Sequence, residues 1–348
     1  MHSVPMRLFF LLCLLSLGGC QAGYYAHLVG GHLGLMGHRQ PLEEALAGDL
    51  LTEHQRHQLQ LSQALLSFAN ERLALPTEKV YRHYVALPEA WVVWNLFAAE
   101  EFSLQPHQWC YPLIGCAGYR GYFSATRAQR DKQRLEEKGL QVFGAGAIAY
   151  STLGWFSDPL TSAMLDGDDV WFAELIFHEL VHRRYYLKGD TRFNESLATA
   201  VAREGVRRWL AAHGDPAQVR VLEQRDQAQR VFLVLVGSAR QRLEALYASG
   251  LPAAQMRQAR EQILASLRQE YQTALQQTPA LAVYQQWFAG PLNNAQLNMV
   301  SDYYDQVPLF DAALLECGGN WPCFWRQVKK LARLSPEQRA AITERLND

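Results

Sequence analysis

The chain has 348 residues, 49% of them hydrophobic, with a formal net charge of −1 at pH 7 and a sequence pI near 6.8. That length holds one large domain or two modest ones, with ample residues for a core. The near-neutral balance, with no basic run and no RNA-binding motif, excludes nucleic acid as a partner.

Arg7 is followed by an apolar run, Leu8 to Leu17, too short to span a bilayer and suited to the core of a signal peptide. Leu17-Gly-Gly-Cys20 resembles the lipobox cleaved by the bacterial lipoprotein signal peptidase. Residues 1–19 are therefore expected to be a leader and Cys20 a lipidated first mature residue, with several acyl chains giving stable anchoring. Gln21 after that cysteine favours delivery to the outer membrane. A plain secretory signal, or an uncleaved anchor, is the alternative. No later segment reaches the roughly 18 apolar residues of a spanning helix.

Residues 20–40, with Tyr24, Tyr25, His27, His32 and His38 among glycines, are expected to form a tether, packed near the active site or mobile. Pro41 to about Leu75 predicts helix, broken near Gly48-Asp49 and capped again at Thr52. Val80–Leu87 and Ala90–Ala98 are β-branched and aromatic, and predict a hairpin about Pro88-Glu89. Cys110–Phe123 predicts a turn-rich loop, Ser124–Lys138 a charged helix stopped by Gly139, and Leu140–Tyr150 a strand. Gly144–Thr152 is expected to line a substrate cleft, with an ordinary core strand as the alternative.

Trp171–Leu187 has no Gly or Pro and is apolar on all sides, which predicts a buried helix. Within it lies His178-Glu-Leu-Val-His182. Positions four apart share a helix face, so His178 and His182 can each give one nitrogen to a single Zn²⁺. Glu179 then stands beside the metal, where a general base belongs. Gly189 is expected to end this helix in a left-handed conformation, and Asp190 or Thr191 to cap a second one from Arg192 to about Leu210. A tight turn makes the two antiparallel and brings Glu195 within about one turn of His182, as a third ligand with a fourth position left for water. Asp190 and Asn194 are candidates to orient the imidazoles. Tyr150, Tyr185, Tyr186, Tyr303 and Tyr304 are candidate donors to a transition-state oxyanion. Glu174, Asp158, Asp168 and Asp169 are candidates to bind a substrate ammonium.

Residues 215–277 predict a long helical hairpin broken at Gly250-Leu-Pro252, and 291–348 a final set of helices. Cys110, Cys116, Cys317 and Cys323 form an even set, which in an oxidising compartment predicts disulfides. Local pairing, Cys110 with Cys116 and Cys317 with Cys323, is expected, while the other connectivities stay open.

His178-Glu-Leu-Val-His182 with Asn194-Glu-Ser-Leu-Ala198 resembles the HExxH…NExxA pattern of gluzincin metallopeptidases, with a shorter interval to the glutamate than theirs. The stretches FHELVHRRYYLKGDTRFNESLATAVAREG, WCYPLIGCAGYRGYF and AYSTLGWFSDPL, with Tyr24-Tyr25, are more closely similar to a family of bacterial predicted aminopeptidases. The resemblance implies an α+β fold: a mostly helical zincin-like core in residues 41–348, with a small sheet and metal helices at about 79–210. It implies an aminopeptidase, while the residues themselves argue for a peptidase using one Zn²⁺. The expected protein is a lipid-anchored periplasmic zinc aminopeptidase acting on peptides. The alternatives are an endopeptidase of envelope proteins and a non-catalytic envelope scaffold.

Overall fold

The computed structural model describes residues 22–111, 115–149 and 157–347. The expected leader, Cys20 and Tyr150 lie outside them. The architecture is mostly helical with small sheets, consistent with α+β.

Helix α1 covers 22–37, the segment expected as a tether, and is packed down through buried Tyr24 and Leu35. Strand β1 (Gln40–Pro41) and α2 (Leu42–Ala47) lead to α3 (Glu53–Leu73). Thr52 caps α3 through a reciprocal capping box with Gln55, which satisfies two otherwise orphaned backbone donors.

The expected hairpin does not form. Strand β2 (His83–Val85) pairs antiparallel with β1 and parallel with β8 (Leu160–Thr161). Strand β3 (Val93–Ala99) instead lies between β6 (Tyr119–Tyr122) and β7 (Gln141–Ala147), antiparallel to both. Pro88-Glu89 offers no residue suited to the positive φ of a two-residue hairpin turn, and both edges of β3 are taken by later strands. The stretch expected as a loop holds another hairpin, β4 (Trp109–Tyr111) with β5 (Gly115–Ala117). Its paired positions Cys110 and Cys116 are joined by a disulfide. Among the described residues β7 has no strand on its outer side. Helix α4 (Ala125–Glu137) starts at a Ser124 cap and packs against this sheet.

Helix α5 (Asp169–Arg184) carries the two histidines, and α6 (Thr191–His213) carries Glu195. Phe172, Phe177, Leu180 and Val181 of α5 pack with Phe193, Leu197 and Val201 of α6 in one core that includes Leu65 and Leu73 of α3. Gly205 lets α6 come this close: a Cβ there would meet Phe177 at 2.8 Å and Leu73 at 2.9 Å. Helix α5 ends at Arg184, earlier than expected. Gly189 does adopt a left-handed φ of 81°, but inside the connecting loop rather than as the helix stop.

Helices α7 (Pro216–Tyr247) and α8 (Ala253–Gln277) form the expected hairpin, burying Phe232, Val236 and Leu243 with Leu264, Leu267 and Tyr271. Short α9 (Gln285–Ala289) precedes α10 (Asn294–Tyr304), which packs on α6, β3 and β7. Helices α11 (Val307–Glu316) and α12 (Trp321–Leu331) are tied by the Cys317–Cys323 disulfide, and α13 (Pro336–Asn347) closes the described chain. No described helix is long and apolar enough to cross a membrane.

Candidate metal centre

One face of α5 presents His178 and His182 a single turn apart, and the first turns of α6 bring Glu195 across to them. His178 Nε2 and His182 Nε2 lie 3.2 Å apart. Glu195 Oε2 is 3.2 Å from the first and 3.6 Å from the second. Four ligands held tetrahedrally about Zn²⁺ at 2.0–2.1 Å must be about 3.3 Å from one another. The three separations match that edge length, so two imidazole nitrogens and one carboxylate oxygen converge as three corners of such a tetrahedron. Among the described residues this is the one cluster of His, Cys, Asp or Glu with metal-holding geometry. The donor set suits zinc.

The electrostatics follow from burial and proximity. Burial alone would raise the Glu195 carboxyl, but the His182 and His178 imidazoles outweigh it and hold it well below the usual carboxylate range. Burial also raises Glu179, with Glu195 and Asp158 pushing the same way and the two histidines pulling back. Glu179 is half-buried beside the cluster and forms no part of it. A carboxylate made more basic in this way is better suited to accept a proton as a general base.

The tyrosines sort clearly. Tyr303 of α10 stacks its ring on His178, centroids 6.0 Å apart and planes 19° from parallel. The charge of Glu195, then burial, raises its phenol well above the ordinary value. Tyr119 of β6 feels burial first, then Glu195, Tyr186 and Glu179. Tyr186 is raised by burial and by Glu195. Tyr185 instead packs on Phe193, and Tyr304 lies among the helical-hairpin side chains. Tyr119 was not among the sequence candidates: it arrives through pairing with β3, and no local pattern announces it.

Asp190 and Asn194 do not orient the imidazoles. Asn194 holds the loop, accepting from the Leu187 amide at 2.7 Å and donating to its carbonyl at 2.8 Å. Asp190 caps α6 through the Phe193 amide and pairs with buried Arg339. His182 Nδ1 has no hydrogen-bond partner among the described residues.

The acidic candidates also separate. Asp168 caps α5 and pairs with Arg225. Asp169 binds His57, Gln58 and Gln218, and Asp158 pairs with Arg183. Glu174 lies one turn before His178 on the same face. Burial raises its carboxyl against the pull of Arg203, Arg225 and His178.

A family model described as "Putative aminopeptidase" matches residues 23–343. The chain belongs to this family. No curated protein and no solved structure matches it. Family membership supports a peptidase-like hydrolase acting on peptides. The match spans α1 to α13 and so includes the whole cluster.

Asp302, beside Tyr303, is a buried carboxylate with a pH signature. Burial, aided by Glu195 and Asp305 against Arg192 and Arg240, raises its carboxyl to about 7. The unfolded chain releases this proton near 3.8, and the native protein keeps it to about 7. Between those values the folded state binds more protons, so stability falls as pH rises and is flat above. Asp302→Asn should therefore match wild type near pH 4 and exceed it at pH 8 by about 2 kcal/mol, a discounted share of the 1.36 kcal/mol per pKa unit. Urea unfolding at the two pH values measures this. A variant less stable than wild type at pH 8 would contradict it.

Proposed function

We propose that this family member is a zinc-dependent aminopeptidase, lipid-anchored through Cys20 and facing the periplasm, an oxidising compartment in which its two disulfides would persist. The observation that carries the reading is the set of three donor separations that fit a tetrahedral ion, with Glu179 standing beside them. His178, His182 and Glu195 would hold one Zn²⁺. Bound there, zinc supplies Lewis acidity, polarising a carbonyl oxygen and lowering the pKa of water.

The protein's own groups do the rest. Glu179 takes a proton from the attacking water and returns it to the leaving amine nitrogen. The Tyr303 and Tyr119 hydroxyls donate to the oxygen on which negative charge develops. Their raised pKa values keep both phenols protonated as donors. Tyr303→Phe should lower kcat by about 10- to 100-fold with KM little changed, a pattern expected for a contact made in the transition state. A fall in kcat/KM that lies wholly in KM would argue against that role.

Glu174 is the acidic candidate without a described ion pair, and we place it against the free amine of the substrate. Glu174→Gln should raise KM about tenfold for peptides with a free N-terminus, as steady-state kinetics would show, with kcat little changed. Among the described residues β7 has no strand on its outer side, and beyond Val142, whose carbonyl accepts from Asn293 Nδ2, that edge would give an extended peptide a lane for main-chain hydrogen bonds. That edge suits an endopeptidase equally, which is the second reading. Digestion of a peptide library by wild type and Glu179→Gln tests both. Cleavage counted from the free amine and blocked by acetylation supports the aminopeptidase; cleavage that tolerates acetylation supports the endopeptidase.

A further inference from the structure

None of His178, Glu179, His182 and Glu195 lines a second recess, of about 210 Å³, between α1, β6 and α4. Arg127, Arg130 and Arg134 follow one another at helical spacing along one face of α4 and line it, with Arg120 of β6. Tyr24 and His27 of α1 form the opposing wall. The acidic residue in the lining, Asp131, is already engaged: it accepts from Tyr122 Oη at 2.6 Å and pairs with Arg134 at 3.0 Å. Four guanidiniums against one carboxylate leave an excess of three positive charges (4 − 1), in a chain whose formal net charge is −1.

The recess is also structured to hold these groups. The Arg120 guanidinium lies 3.8 Å from the Tyr24 ring centroid, and Arg120 Nε is buried with no hydrogen-bond partner among the described residues. His27 Nε2 accepts from the Phe123 amide at 3.1 Å, which leaves the imidazole proton on Nδ1 as a further donor. Forked guanidinium donors gathered around one space match the tetrahedral oxygens of a phosphate better than they match any neutral ligand.

We propose that this recess binds the phosphate group of an anionic ligand. Two sources share that chemistry: the headgroup of an anionic phospholipid, and free phosphate. Gly23, in the lining, follows Cys20 by three residues (23 − 20), so a chain anchored at that cysteine would carry the recess close to the membrane surface. The site is independent of the catalytic reading.

The test is calorimetric titration of the full chain, in dodecyl maltoside micelles, with inorganic phosphate at constant ionic strength. Wild type should bind saturably, and the Arg127→Gln/Arg130→Gln double variant, altered at two exposed positions, should bind at least tenfold more weakly. Titration is then repeated in micelles doped with phosphatidylglycerol or with phosphatidylcholine, whose headgroup has no net charge. Suppression by phosphatidylglycerol alone identifies the lipid headgroup as the source, while unchanged phosphate binding identifies free phosphate. No saturable binding by wild type, or equal binding by the folded double variant, would overturn the proposal.

Discussion

Glu179→Gln is expected to bind zinc as wild type does and to lose about 10³-fold in kcat on peptides, within the range for removal of a positioned general base. That loss corresponds to about 4 kcal/mol of transition-state stabilisation, at 1.36 kcal/mol per decade. The amide keeps the size of the side chain and removes the group that accepts the proton. Because Glu179 lies outside the His178, His182 and Glu195 cluster, metal content should not change. Metal analysis beside steady-state kinetics on the same preparation separates the two effects. A variant that keeps both its zinc and its activity would show that another group moves the proton.

Glu195→Ala should have the larger effect on the metal. Glu195 is 7% exposed and its Oε2 lies within 3.6 Å of both imidazoles, so its loss opens a corner of the proposed tetrahedron that no other described carboxylate occupies. Removing an outer partner of a metal ligand costs 10- to 100-fold in affinity. Removing a ligand itself should cost more than about 100-fold and take activity below detection. Competition against a chromophoric chelator gives the affinity. Retained affinity and activity in Glu195→Ala would mean that the third ligand lies elsewhere.

How far the chain could be read from its sequence depended on the range of the interactions. His178 and His182 share a face because of helix geometry alone, and Thr52, Ser124 and Gly139 act within a few residues of their own positions. The helical hairpin was legible for the same reason. Glu195 was placed by assuming a tight turn. The helix stops at Arg184 and a longer loop follows, yet Glu195 still reaches both imidazoles because Asn194 pins that loop at Leu187.

The sheets were misread where pairing is non-local. Strand β2 finds a parallel partner at Leu160–Thr161, and β3 is sandwiched by strands that come later in the chain. Neither partner leaves a mark on residues 80–98. Tyr119 escaped notice for that reason, since only the β3–β6 register carries it to the site. Asp190 caps α6 as one of its two expected roles had it, while the imidazole-orienting role expected of Asp190 and Asn194 gives way to an ion pair and a loop clasp, because the same polar side chains serve all three. The deciding partner, Arg339, is 149 residues away.

X-ray absorption at the zinc edge of the full chain, loaded with one equivalent of Zn²⁺, tests the central claim most directly. The account predicts a first shell of nitrogen and oxygen at about 2.0–2.1 Å with scattering from two imidazoles, lost in a His178→Ala/His182→Ala variant. Sulfur scattering at about 2.3 Å, or a first shell without imidazole, would contradict it.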